Sequence, residues 1–261
     1  VNADWSARFG GITRLYGEAA AARLEAARVA VIGLGGVGSW AAESLARSGI
    51  GALDLVDLDD VCASNINRQT QALTGTVGQA KTAALADRVR AIHPGCRVCE
   101  RRVFYSAATS EAILHAQLDL VIDAIDAPAA KCLLLVACRE HGLPIITCGG
   151  AGGRKNPTAV RVTDITRCRD DALLAVVRKR LRARHGFPRN PRRNWGIPCV
   201  WSEERATRPA GPAGTACAPP AGTLRLTCDE GYGSAVFVTG AFGFALAAEA
   251  VAMLLRPPSA G

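Results

Sequence analysis

Aromatic residues are scarce in this 261-residue chain, at 5% of the total, although 49% of its residues are hydrophobic. The apolar mass is Ala, Val and Leu instead, which suits helices laid on a parallel sheet. It is enough to bury the core of one large α/β domain. A second C-x-x-C is also missing. Ten cysteines are present, scattered singly and mostly inside apolar runs, as at Cys132, Cys138 and Cys148. The one C-x-x-C, Cys96 to Cys99, falls in a predicted strand, where alternation sends the two thiols to opposite faces. This argues against a zinc site and against a secreted disulfide framework, and it fits reduced thiols in a cytoplasmic enzyme. No cationic segment followed by an apolar stretch opens the sequence, so secretion is not expected. No internal repeat is evident. The single long apolar run, 235–255, is long enough to raise the question of a membrane span. Glu249 and the glycines within it favour a buried C-terminal helix, with membrane association as the lesser alternative.

Positive charge is in excess. Lys and Arg number 31 against 23 Asp and Glu, a formal net charge of +8. This is consistent with a polyanionic partner but does not define one.

The informative stretch is 28–60. Residues 28–32 form a short Val/Ile-rich run of the kind found in buried parallel strands. They enter the turn Gly33-Leu34-Gly35-Gly36-Val37-Gly38. Residues 39–48 show helical spacing, with Trp40, Ser44 and Arg47 on a different face from Ala42, Leu45 and Ala46. A second apolar strand, 52–56, ends in Asp57. Strand, glycine turn, helix, strand and terminal acid make a nucleotide-binding βαβ unit. The glycines let the backbone approach phosphate, the helix N-terminus supplies free N–H groups, and Asp57 is expected at the ribose hydroxyls. The same pattern is equally a dinucleotide fingerprint, so by itself it fixes a nucleotide and no reaction.

Further along, residues 1–17 read as irregular and 18–27 as a helix. The polar stretch 57–80 carries Asn65, Arg68 and Gln69, and Lys81 follows at the start of a helix predicted over 79–93. Two cations and two amides beside a phosphate-binding turn make a triphosphate clamp. Strands are expected at 97–103, 118–123 and 144–148, and helices at 107–116 and 128–141. Asp126 follows the strand that ends in Asp123, a position suited to Mg²⁺, or to capping the helix that begins at Pro128. A glycine-rich turn, 149–153, precedes an alternating stretch, 158–163, read as an antiparallel extension. A basic segment, 167–193, follows. Its Arg178, Arg180, Arg182 and Arg184 cannot share one helix face, and it is expected to contact a nucleic-acid backbone. Residues 205–222 are Pro/Ala/Gly-rich. Order resumes at 224–228, and Gly231 to Ser234 lead into the C-terminal helix. The fold class expected is α/β: a Rossmann-like, mostly parallel sheet with helices on both faces, an antiparallel extension and a C-terminal helix. The organisation expected is one domain over 1–261. It comprises an N-terminal arm and helix (1–27), a nucleotide-binding core (28–165), a basic and Pro/Ala-rich insertion (166–230) and the C-terminal helix (231–261).

Taken together, Gly33-x-Gly35-Gly36-x-Gly38-Ser39, Asp57-Leu-Asp59, Ser64-Asn65-Ile-Asn-Arg68-Gln69, Gly78-Gln-Ala-Lys81 and Asp123-Ala-Ile-Asp126 resemble the ubiquitin-activating-like adenylating superfamily of the ThiF/MoeB type. The resemblance implies ATP and Mg²⁺ as cofactors. It places Gly33, Gly35, Gly36, Gly38, Ser39, Asp57 and Asp59 about the nucleotide, with Asn65, Arg68, Gln69 and Lys81 on the phosphates. Asp126 then stands near the metal and the reacting centre, so that Asp126, Arg68 and Lys81 carry the chemistry. The N-terminal arginine that relatives direct to phosphate corresponds here to Arg8 or Arg14, because Gly11 stands where they have it; Arg14 is taken as the contact. Within the superfamily, the segments 8–17, 36–43, 147–153 and 228–244 look most like the tRNA-modifying dehydratases that adenylate a threonylcarbamoyl carboxylate. The resemblance implies tRNA as partner and a homodimer, and leaves open a cysteine-desulfurase or sulfur-acceptor system. Two other readings stand beside it. One is adenylation of a small sulfur-carrier protein, with Cys199 or Cys228 taking the acyl group. The other is a non-catalytic RNA-binding relative that holds ATP.

Overall fold

The computed structural model describes residues 3–190, 193–207 and 232–257. In chain order the elements are α1 (Ala3–Tyr16), α2 (Glu18–Ala26), β1 (Arg28–Ile32), α3 (Gly38–Arg47), β2 (Ala52–Val56), α4 (Lys81–Ile92), β3 (Arg97–Arg101), α5 (Ala107–Ile113), β4 (Leu120–Asp123), α6 (Pro128–Glu140), β5 (Ile145–Cys148), β6 (Val160–Asp164), α7 (Ala172–Arg184), β7 (Pro198–Ser202) and α8 (Val236–Leu255). They build one seven-stranded sheet in the order β3-β2-β1-β4-β5-β7-β6. All neighbours run parallel except β6 and β7. The α/β class, the parallel sheet and the antiparallel extension all stand as the sequence indicated.

Alternation along the strands divides the core into two layers. Val29 and Val31 of β1 face Ala41, Leu45, Leu85, Phe242 and Leu246, which belong to α3, α4 and α8. Ala30 and Ile32 face the opposite layer, where Leu134, Leu135, Leu174 and Val177 of α6 and α7 pack. A strand covered on both faces reads as a near-continuous apolar run, which in β2 is interrupted only by Asp54. β1 and β2 are buried along almost their whole length.

Three outcomes differ from the sequence reading. The first residues are helical rather than irregular. Trp5, Phe9 and Ile12 lie at helical spacing and pack together, with Trp5 against Gly49 and the Phe9 ring edge-on to His93 at 4.8 Å. That burial overrides the poor helix propensity of Gly10 and Gly11, and the helix bends at Phe9 (φ −119°, ψ 17°). Strand β7 is an addition, hidden in basic and Pro-rich sequence; it bridges β5 and β6. Residue Ala127, not Asp126, stands at the N-cap of α6. The ordered stretch expected at 224–228, Cys228, Gly231, Arg192 and residues 208–222 lie outside the described residues.

α8 is the one helix among the described residues long and apolar enough to cross a membrane, and half of its apolar window is buried. It lies so close on α3 that a side chain at Gly243 would meet the Trp40 Cβ at 2.6 Å. Val238, Phe242, Leu246, Ala250 and Val251 face the sheet layer.

Candidate active site

Strand order reverses between β1 and β4, and an open α/β sheet places its ligand crevice at such a point, beyond the carboxyl ends of the strands. The glycine turn leaves β1 there. Gly33 has φ 91°, and a Cβ at that position would lie 2.8 Å from the Ala124 carbonyl oxygen. Only glycine therefore permits β1 and β4 to turn away side by side. At Gly35, by contrast, a Cβ would meet nothing within 4 Å, so the outer side of the turn is open. α3 begins at Gly38, with the Ser39 N–H turned back onto the Gly35 carbonyl at 3.1 Å, and the positive end of its dipole lies at the crevice.

Asp57 supports this turn from below. Its Oδ2 accepts the Leu34 N–H at 2.7 Å and its Oδ1 accepts the Asp59 N–H at 2.8 Å. Burial raises the pKa of Asp57, with Lys81 opposing and Asp59 adding to the rise. Asp59 is the partner of Lys81, whose Nζ donates to Oδ2 at 3.1 Å from the first turn of α4. Arg68 lies across the turn, with its Cγ 3.4 Å from where a Gly36 Cβ would be. Its Nη1 donates to the Ser64 carbonyl (2.7 Å) and to Asn67 Oδ1 (3.0 Å). The turn residues, Asp57, Asp59, Arg68 and Lys81 thus meet at one crevice, and the 124–126 loop abuts them through Gly33. Asp126 is exposed there.

Other expected residues support the loop from inside. Asn65 is buried and its Oδ1 accepts the Cys62 N–H at 3.0 Å. Gln69 is buried and accepts from Gln71 Nε2 at 3.2 Å. Ser39 is fully buried, its Oγ accepting the Thr70 N–H at 3.4 Å. Arg14 is not brought to this crevice within the chain. It is exposed on α1, alongside its own Gly10, and that helix is docked on Gly49 and His93 at the far ends of α3 and α4. Arg8 is spent there too, on Asp4 (3.0 Å) and the Ile92 carbonyl (3.4 Å). Cys199 is fully buried in β7, and burial, followed by its neighbour Cys168, pushes its thiol well above the ordinary range. It is not an available nucleophile.

Several supporting residues lie outside the sequence motifs. Gln71 Nε2 donates to the Leu34 carbonyl at 2.9 Å from a fully buried position. Glu43 of α3 accepts from Thr70 (2.9 Å), Arg47 and Arg88. Arg154 and Asp171 form a buried pair at 3.3 Å; Arg154 also binds the Gly150 carbonyl, and Asp171 accepts the Gly150 N–H at 3.0 Å. Glu43 had one legible signal, an acid set among residues destined for the core; Asp171 had another, an acid just before an apolar helical run, where it caps α7 by accepting the Leu174 N–H at 2.9 Å.

A glycine turn, a helix N-terminus and two cations at a β1/β4 crevice define a nucleotide-binding α/β protein that handles a phosphate chain. Comparison with known proteins places it further. Residues 11–260 match the ThiF family, to which this chain belongs. It is 42% identical over 258 residues to tRNA threonylcarbamoyladenosine dehydratase of Escherichia coli strain K12, covering 98% of this chain and 96% of that protein. It is 41% identical over 256 residues to the dehydratase of the same name from Haemophilus influenzae, with coverage of 98% and 96%. The crystal structure of the E. coli dehydratase in complex with ATP superposes with a TM-score of 0.87 at 39% identity, over 98% of this chain and 96% of that one.

Proposed function

We propose that this chain is an ATP-dependent enzyme that dehydrates threonylcarbamoyladenosine in tRNA, acting as one adenylating domain and as a cytoplasmic homodimer. The observation that carries the proposal is the end-to-end likeness to a dehydratase crystallised with ATP, in a chain that keeps the open glycine turn flanked by Arg68 and Lys81. A dehydrogenase would have no use for that pair of cations.

A carboxylate is a poor electrophile because oxide would have to leave. In the proposed reaction the threonyl carboxylate oxygen attacks the α-phosphorus of ATP, an O–P bond forms, and pyrophosphate departs with the electrons of the broken bond. The carbamoyl group of the same side chain then attacks the activated carbonyl carbon and AMP leaves. The ring closes with net loss of water, whose oxygen leaves on AMP. Closure is intramolecular, so proximity supplies much of the acceleration. Arg68, Lys81 and the N–H groups at the start of α3 take up the charge on the phosphates. Asp126, an exposed carboxylate at the crevice, suits Mg²⁺, which commonly takes one or two carboxylates together with phosphate oxygens. Mg²⁺ bound there would offset phosphate charge. Arg14, exposed on α1, is free to reach the crevice of a second subunit.

The test is to incubate purified protein with ATP and threonylcarbamoyl-modified tRNA and to weigh the digested nucleosides. The expected product is lighter than its precursor by one water, in step with AMP release. An unchanged nucleoside, or a change without ATP, overturns the proposal.

A further inference from the structure

We infer that Lys131 is a positioning residue for the adenylation step, acting through Asp123 on the backbone turn that carries Asp126. The inference rests on reading the crevice as an adenylating site. Lys131 projects from α6 toward the sheet and is completely buried, as are Asp123 at the end of β4 and Thr147 in the paired position of β5. Lys131 Nζ donates to Asp123 Oδ2 at 2.8 Å and to Thr147 Oγ1 at 2.9 Å. Thr147 Oγ1 in turn donates to the same Oδ2 at 2.7 Å. The other carboxylate oxygen, Oδ1, points the opposite way and accepts the Ile125 N–H at 3.0 Å. That amide immediately precedes Asp126.

An apolar side chain would fill the space between α6 and the sheet without the cost of desolvating two charges, so packing alone does not explain this pair. What the ammonium and hydroxyl add is direction. By holding Oδ2 from below they fix the rotation of the carboxylate, and so aim Oδ1 at the Ile125 N–H. Burial works against the Lys131 charge, but the neighbouring Asp123 outweighs it and the pKa stays above the ordinary value. The direction of transmission is also set. Ala124 is tied separately to β1, its N–H donating to the Ile32 carbonyl at 2.9 Å. Freedom gained on losing the grip of Asp123 therefore begins at Ile125 and falls on Asp126, leaving the glycine turn in place.

The experiment uses Lys131→Met, Thr147→Val and Thr147→Ser in the full chain. Three quantities are read: ATP affinity by equilibrium titration, the single-turnover rate of pyrophosphate release with modified tRNA, and hydrogen exchange of the Ile125 amide. Lys131→Met and Thr147→Val should hold ATP affinity within about threefold while the rate falls roughly 10- to 100-fold, the scale of a displaced catalytic group. Exchange at Ile125 should quicken in both. Thr147→Ser, which keeps the hydroxyl, should restore rate and protection together. Thr147→Val is nearly isosteric and carries the test if Lys131→Met does not fold. Wild-type rate and exchange in Thr147→Val overturn the inference, as does loss of rate that Thr147→Ser does not recover. If the wild-type protein itself releases no pyrophosphate, it is the proposed function that fails. Exchange at Ile125 then still decides whether Lys131 and Thr147 hold the turn.

Discussion

Trp40 Nε1 donates to the Arg68 carbonyl oxygen over 3.0 Å. The Thr239 hydroxyl approaches the same carbonyl at 3.4 Å from α8. The backbone of a cation proposed to hold phosphate is therefore fixed from α3 and α8 at once, while its guanidinium is held separately, by Ser64 and Asn67. Trp40→Phe removes the indole donor and leaves a smaller aromatic ring on the side that packs edge-on against Phe244, 5.9 Å away in the wild type. A hydrogen bond of this kind contributes about 1 kcal/mol, so ATP affinity should weaken about fivefold. Calorimetric titration of the variant checks this; unchanged affinity would mean that α8 alone fixes Arg68.

Arg68, Lys81 and Asp126 should separate by assay. Arg68→Ala and Lys81→Ala each remove a phosphate partner, at about 1–3 kcal/mol, and should weaken ATP binding and turnover together. Lys81→Ala also leaves Asp59 without its 3.1 Å partner, so it should be the more damaging to fold stability. Asp126→Asn should leave ATP affinity nearly intact and sharply reduce pyrophosphate release. Full single-turnover rates in Asp126→Asn would remove that residue from the chemistry. Tighter binding of NAD than of ATP to the wild-type protein would overturn the nucleotide assignment altogether.

Much of this crevice was legible because its local signals agree. A Val/Ile strand, glycines at fixed offsets, an apolar helix face and a terminal acid all specify the same βαβ unit, and strands β1 and β2 run as their apolar patterns indicate. Where local and tertiary signals conflict, the sequence misleads. Gly10-Gly11 disfavours a helix, yet Trp5 and Phe9 find pockets against Gly49 and His93 that no local pattern encodes. β7 is only five residues long, and its membership depends on edges supplied by β5 and β6. The buried group at Lys131, Asp123 and Thr147 joins three elements, so only the folded chain shows that Lys131, a cation on the apolar helix α6, meets the acid that ends β4.

Asp54 predicts how the fold responds to acid. It is fully buried in β2 and accepts from Arg28 (2.7 Å), Arg101 (3.0 Å) and His115 Nε2 (3.1 Å). Burial alone would raise its pKa, but the bonds from Arg28, His115 and Arg101 outweigh it, and the carboxyl lies below its ordinary value. A carboxylate depressed in the folded state contributes stability above its unfolded pKa, and that contribution fades as pH falls through the folded value. Asp54→Asn should therefore cost about 3 kcal/mol near neutral pH, by leaving two arginines over an uncharged group. The difference from wild type should shrink below about pH 4. Urea unfolding of both proteins across that range measures it, and a difference independent of pH would assign the effect to packing.

The arginines of the basic segment divide by role along α7. Arg178 turns inward to donate to the Ile165 carbonyl at 3.1 Å, and Arg182 lies over the Trp195 ring at 5.2 Å. These two, a helical turn apart, hold the β6–β7 side of the molecule together around the buried Leu174, Val177 and Leu181. Lys179, Arg180 and Arg184 are exposed on the rest of the helix, where a curved polyanion would meet them. Changing these three to Gln should leave thermal stability unaltered, since none anchors the core. Binding of modified tRNA should weaken, and the slope of log affinity against log salt should become shallower by up to about 2–3, as fewer counterions are released. ATP affinity should not move. A Gln triple variant with wild-type tRNA affinity and slope would place the RNA elsewhere, while Arg182→Gln alone should lower stability by about 1 kcal/mol through the lost stacking on Trp195.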